Sequence, residues 1–385
     1  MSATRYQVTC DGGQIVVVTD HQQAQTARFH TIWLRDNAPD AETRSPLNGQ
    51  RLIAITDIPD DISVASAQID GASLIVDFMP EARSVAFDLA WLFANRYDIA
   101  PPTGQRGRVD NQISLWDSGL ADDLPQADFS AVMSDDAVLY GWLDDVVRFG
   151  FAFLSDGPVE EGALFRIIDR FGYVRETNYG RHFEVRSQVN PTNLAYTGLG
   201  LQAHTDNPYR DPLPTLQILY CLESSASGGD NMVVDGFAAA QRLRDENTDM
   251  FDVLADNCAR FTYEGSADVS LTARRPLIQL APDGQLVGVS FNNRSAAATT
   301  DVPFDRMPLF YQAMRRFAGI IDDPAMEVAF RLNLGDSLIV DNTRVLHARE
   351  AFSGAGSRWL QGAYADRDSL QSRHHVLARQ FASGL

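Results

Sequence analysis

The residues of this chain best suited to act together chemically are His204-Thr205-Asp206. Side chains alternate along a strand, so His204 and Asp206 are expected on one face, with Thr205 turned away. An imidazole and a carboxylate so placed fill two neighbouring positions of a metal ion. Of the seven histidines, the candidate third ligand is His347. It ends the segment Asn333 to His347, which reads as a turn, an apolar strand and a short loop. Two imidazoles and one carboxylate form the facial set that leaves positions open on iron(II).

Eleven residues after His347, Arg358 opens an apolar run in which even spacing puts Arg358, Leu360, Gly362 and Tyr364 on one face. A guanidinium grips a carboxylate through two parallel hydrogen bonds. Arg358 is therefore placed to hold the far end of a dicarboxylate whose near end chelates the metal. Tyr179, Phe183, Tyr196 and Tyr364 lie near these groups in sequence. Aromatic faces converging on one point attract a soft cation such as trimethylammonium.

Elements that must position these groups follow from the pattern along the chain. With 385 residues, two domains are expected. Residues 1–97 read as a small β-rich module with strands at Gln14–Asp20, Arg51–Ile55 and Ser73–Phe78 and a short closing helix over Asp88–Ala94. The Pro-, Gly- and Asp-bearing stretch 98–130 has linker composition, and no repeat is evident. From 131 to 385 come helices at Asp135–Phe149 and Glu160–Phe171, then many short strands interrupted by one helix, Arg306–Ile321. This mixture, mostly β with outer helices, predicts a double-stranded β-helix (jelly roll), in which distant strands send side chains into one mouth.

The net charge of −19 argues against nucleic acid and anionic membranes as partners. Three scattered cysteines, no run long enough for a membrane span and no signal-like start point to a cytoplasmic protein.

The stretch 131–385 resembles the Fe(II)/2-oxoglutarate dioxygenases of the taurine dioxygenase and γ-butyrobetaine hydroxylase group. The matching elements are His204-Thr-Asp206, Gly228-Gly-Asp230 with Val234-Asp-Gly-Phe237, Gly335-Asp-Ser with Asp341-Asn and His347, and Arg358 with Gly362-Ala-Tyr364. Trp33-Leu-Arg-Asp-Asn37 extends the likeness to the N-terminal module. The resemblance implies iron on His204, Asp206 and His347, 2-oxoglutarate on Arg358 and Asn231, O2 as the second co-substrate, and a homodimer. It also implies a trimethylammonium cage of Tyr179, Phe183, Tyr196 and Tyr364.

Departures from the group refine these expectations. Relatives carry a structural zinc on three cysteines and a histidine. Here Ala38, Asp40 and Thr43 occupy the cysteine positions and no histidine lies near Ala82-Arg83, so no structural zinc is expected. Asn193, Asn207, Tyr209, Asn293 and Arg294 offer many donors and a full positive charge to the substrate's far end. That set resembles the 2-(trimethylammonio)ethylphosphonate hydroxylases, whose product a C–P-cleaving oxygenase would take up. The expected substrate is accordingly that small phosphonate, with γ-butyrobetaine as the alternative and a non-catalytic jelly-roll binding protein as the remote one.

Overall fold

The computed structural model describes residues 5–99, 106–186, 200–225, 227–353 and 357–383. The chain divides into two compact units, Met1–Gly104 and Gln105–Leu385.

The first unit contains a repeat. Strands Tyr6–Asp11, Ile15–Asp20 and Gln25–His30 form one antiparallel sheet and run into the one-turn helix Thr31–Asp36. Strands Ser63–Asp70, Ser73–Met79 and Arg83–Asp88 form another and run into Leu89–Ala94. Equivalent residues lie 58 apart: Val16 and Leu74, Phe29 and Phe87, Trp33 and Trp91, Leu34 and Leu92, Asn37 and Asn95. Both turn residues Ala24 and Ala82 have φ near +50°. Both asparagine amides donate to their own tryptophan carbonyls, at 2.9 and 2.8 Å, and the two indoles stack at 5.6 Å. The absence of repeats expected above is corrected. Identities are few, and what recurs is an alternation of apolar positions that burial imposes on any pair of facing sheets. A second correction concerns Arg51–Ile55, which is not a strand. Arg51 forms one isolated bridge with Arg44, and Ile55–Asp57 is a single 3-10 turn.

Around Asp40, Thr43 and Arg83 this unit is held by polar and charged pairs. The Arg83 guanidinium is paired with Asp40 and Glu42. Arg35, 3 % exposed, makes a two-pronged pair with Glu81 and donates to the Thr43 hydroxyl at 3.0 Å. These bonds tie the segment after the first helix to the last hairpin of the unit. Truncating Glu81 would leave the Arg35 charge buried without its carboxylate. Glu81→Ala is expected to lower stability to urea by about 3 kcal/mol, with the double variant Arg35→Met/Glu81→Leu recovering most of it. A zinc chelator is expected to leave the wild-type transition unmoved.

The second unit is built on two antiparallel sheets. The larger runs in the order Phe183–Val185, Arg358–Ala365, Leu216–Ser224, Ser337–Asp341, Phe151–Ser155 and Gln126–Asp128, the last strand being parallel to its neighbour. The smaller runs Leu201–His204, Val345–Arg349, Asn231–Asp235 and Glu327–Phe330. Alternation decides what each strand buries. Phe151, Phe153, Leu219, Leu338, Val340 and Leu360 meet Val233, Val328 and Val345 of the smaller sheet in one core. The opposite faces, with Ala152, Leu154, Ile218, Tyr220 and Ile339, pack under helices Asp136–Phe149, Ala163–Asp169 and Arg367–Ser383. Strands apolar on both faces are therefore continuous apolar runs. This is the jelly roll expected from the sequence.

Two features differ from the sequence expectation. The stretch 98–130 is not all linker, because residues from Arg106 onward belong to the second unit. Trp116 is buried there, its indole donating to the Phe149 carbonyl at 2.7 Å. A single aromatic anchors a segment whose composition otherwise reads as loop. Helices Gly236–Glu246, Thr248–Asp256 and Arg367–Ser383 were not expected. Small residues such as Ala239 and Ala240 form much of the first one's buried face, and the last buries few apolar side chains, including Leu370 and Leu377, so the apolar period is faint.

A buried clip joins the sheets to these outer elements. Arg344, 2 % exposed, forks onto Asp235 at 3.0 and 2.7 Å and donates to the carbonyls of Arg148 and Ser114. Asp235 also caps the following helix through the amide of Phe237 at 3.0 Å.

Candidate active site

Sheet register brings the two histidines together. In the smaller sheet His204 stands directly opposite His347, and their ring centroids are 4.3 Å apart. His347 lies inside a strand, not on the loop expected for it. Asp206 also differs in detail. The strand stops at His204 and Asp206 occupies the bend that follows, so pleating alone does not aim it. Still, Asp206 Oδ1 lies 3.4 Å from His204 Nε2 and 3.8 Å from His347 Nε2.

The bend is held from several sides. Asn342, fully buried, accepts from the Asp206 amide at 2.6 Å and donates to the carbonyls of Asp206 and Pro214 at 2.9 and 2.8 Å. The Thr205 amide donates to the Phe291 carbonyl at 2.8 Å, and the Asn292 amide reaches the Thr205 carbonyl at 3.0 Å. Asn207 then takes φ +52°, a left-handed conformation that asparagine tolerates better than most residues. The carboxylate's second oxygen, Oδ2, accepts from Gln217 Nε2 at 2.5 Å and from the Tyr364 hydroxyl at 2.7 Å.

Protonation suits a metal. His204 Nδ1 lies 2.8 Å from the Gln202 carbonyl, which assigns the proton to Nδ1 and leaves the Nε2 lone pair facing the site. Burial pushes His347 down to about 3, helped by the neighbouring His204 imidazole. Burial and Arg294 lower His204 too. Burial works to raise Asp206, yet its neighbours His204 and His347 and the hydrogen bond from the Tyr364 hydroxyl hold it well below the usual carboxylate range. Two lone-pair nitrogens and one ionised oxygen, all within 4.8 Å of one another, fit a divalent cation.

A cavity of about 750 Å³, mouth included, opens beside this group. Arg358 lines it on the inward face expected for it, with Leu360 and Tyr364, and donates to Asn231 Oδ1 at 2.8 Å. Arg349 lines it as well and was missed. It lies two residues beyond His347, so the same even spacing that placed Arg358 would have found it. Burial and the positive neighbours Arg358 and Arg294 bring Arg349 down to about 10.

Tyr179, Phe183 and Tyr364 form an aromatic wall of the cavity, with Phe183 and Tyr364 rings 5.1 Å apart. A Cβ on Gly362 would come within 2.3 Å of the Phe183 ring, so a larger residue there would push that ring out of its place in the wall. Asn207 and Arg294 line the cavity too. Tyr209 faces an adjoining cavity, stacks on Tyr263 at 5.2 Å and hydrogen-bonds both Asn207 and Tyr179. Tyr263 was not anticipated. Asn293 is exposed and lines neither cavity, because the Asn292 side chain caps the turn through the amides of Arg294 and Ser295. Asn193 and Tyr196 lie outside the described residues.

A jelly roll carrying a two-histidine, one-carboxylate group beside inward-facing arginines defines the class of iron- and 2-oxoglutarate-dependent oxygenases. Residues 117–364 match the family model "Taurine catabolism dioxygenase TauD, TfdA family", and the chain belongs to that family. It is therefore an Fe(II)/2-oxoglutarate-dependent dioxygenase. Among its relatives is a γ-butyrobetaine dioxygenase of Pseudomonas sp. (strain AK-1), 36 % identical over 353 residues, covering 91 % of each chain. The Homo sapiens γ-butyrobetaine dioxygenase is 28 % identical, covering 97 % of each chain. The mitochondrial trimethyllysine dioxygenase of Rattus norvegicus is 29 % identical, covering 93 % of this chain and 86 % of its own. Among the described residues no helix is long and apolar enough to cross a membrane.

The lowered His347 has a consequence for the metal-free protein. Below about pH 6.5 the unfolded imidazole binds a proton that the folded one refuses down to about pH 3, so unfolding takes up protons and stability falls as pH drops through that window. His347→Gln is expected to flatten the pH dependence of urea stability there by up to one proton, relative to wild type.

Proposed function

We propose that this enzyme hydroxylates a small trimethylammonium compound with an anionic tail, and that γ-butyrobetaine is that compound. Iron(II) at His204, Asp206 and His347, with 2-oxoglutarate and O2, supplies an oxidant that converts C–H to C–OH with release of succinate and CO2. Arg358, with Asn231 against it, holds the far carboxylate of 2-oxoglutarate. The face of the Tyr179, Phe183 and Tyr364 wall receives the cation, while Arg294 and Asn207 receive the anion.

The observation that carries the choice of substrate is the number of donors. Five were expected to read the tail. Among the described residues, Asn293 is exposed and lines neither cavity, and Tyr209 is committed to Asn207 and Tyr179. Of the described tail readers Arg294 and Asn207 line the cavity wall, a guanidinium and an amide that suit one carboxylate. The γ-butyrobetaine dioxygenase relatives favour the same compound. The trimethylammonio-phosphonate remains a second reading because Arg294 brings a full guanidinium charge to the tail.

With Fe(II), 2-oxoglutarate and O2, succinate release is expected to match hydroxylated product for γ-butyrobetaine, with a higher kcat/KM than for 2-(trimethylammonio)ethylphosphonate. The reverse order would overturn the choice. Arg294→Ala is expected to lower kcat/KM for the anionic compound by roughly 10- to 100-fold, the worth of a hydrogen bond to a charged group. An analogue ending in a neutral hydroxyl should lose little.

A further inference from the structure

We infer that Tyr364 and Gln217 are positioning residues that select which oxygen of Asp206 is offered to the metal, and that Tyr364 thereby links the substrate wall to the metal centre. The inference rests on the family's iron chemistry and, for its substrate end, on the reading proposed above.

Gln217 and Tyr364 face each other directly across neighbouring antiparallel strands of the larger sheet. Both are buried, and both donate to Oδ2 of Asp206, at 2.5 and 2.7 Å. Two donors on one carboxylate oxygen occupy its lone pairs. The other oxygen, Oδ1, is the one that faces both imidazoles. Chelation through both oxygens would have to break two buried hydrogen bonds, so the centre receives a single oxygen and keeps positions open for co-substrates. Residues that orient a metal ligand in this way typically contribute 10- to 100-fold in metal affinity or activity.

Tyr364 has a second contact. Its ring packs against Phe183 at 5.1 Å, and the residue lines the cavity. The hydroxyl is spent on Asp206, so the substrate meets only the ring. A cation pressing on that ring therefore bears on the residue that steadies Asp206. Gln217 shares the bond to Asp206 but contributes no aromatic face.

The test separates the two contacts. Tyr364→Phe keeps the ring and loses the donor, and Gln217→Leu removes the other donor and leaves the wall intact. Both are expected to weaken Co(II) binding by 10- to 100-fold in calorimetry without substrate, with unfolding midpoints near wild type. In Tyr364→Phe, turnover is expected to lose coupling, with more succinate formed than hydroxylated product, while KM for the trimethylammonium compound stays within about threefold. Wild-type Co(II) affinity in both variants would overturn the inference. So would a Tyr364→Phe effect confined to substrate KM, which would make the residue a wall alone. Because metal affinity is read without substrate, a wrong substrate would show as poor turnover by wild type and would leave the metal result standing.

Discussion

The Asn342 amide is the interaction on which the site depends. Asp206 sits beyond the end of its strand, where no ladder partner satisfies its backbone. Asn342 replaces that partner, bonding both the amide and the carbonyl of Asp206 and also the Pro214 carbonyl. Losing it would strand three buried backbone groups, each costing about 1–3 kcal/mol. Asn342 follows the last residue of Ser337–Asp341 in the larger sheet, whereas His204 and His347 belong to the smaller one. Gln217 and Tyr364 come from the larger sheet too. The metal group is thus a seam. One sheet supplies the imidazoles, and the other fixes where the carboxylate stands.

The charge around that seam is unusual for this chain. The protein carries −19 overall, yet its cavity gathers Arg294, Arg349 and Arg358 around the single carboxylate of Asp206. Low-dielectric walls concentrate such a field. The downward pull on Arg349 from burial and its positive neighbours shows that these charges repel one another. A dicarboxylate and an anionic tail entering the cavity would relieve that repulsion. The aromatic wall of Tyr179, Phe183 and Tyr364 carries no charge of its own, so the two sides of the cavity differ in electrostatic character.

Much of this was legible in the sequence because it follows from period two. Arg358, Leu360 and Tyr364 share a face as spacing requires, and the strand that carries Arg358 was readable, whereas the one that carries His347 read as a loop. What spacing cannot show is register between distant strands, which is why the pairing of His204 with His347 and the placement of Gln217 opposite Tyr364 emerge only from the fold. Backbone capping was equally hidden. Asn292 and Asn342 spend their side-chain amides on main chain, which spacing along the sequence does not show. Arg349 differs, since it lies two residues beyond His347 and even spacing alone puts it on the same face. The repeat in the first unit was obscured because burial conserves apolarity at its 58-residue offset more than identity.

The composition supplies a reason for how firmly these pieces are tied. All 32 basic residues are arginine, and lysine does not occur. Every permanent side-chain cation is therefore a planar fork able to take both oxygens of a carboxylate. The structure uses the fork where a point charge would not serve. Arg344 straps Asp235 and Arg35 takes both oxygens of Glu81 in buried positions, while Arg316 on Glu246 and Arg260 on Asp301 make the same fork at the surface. Isolated surface pairs add little stability, but a buried fork fixes direction as well as distance, which is what a metal cross-link does. In the first unit the Arg35 fork joins the first helix to the last hairpin. In the second, Arg358 turns inward on the cavity wall and donates to Asn231.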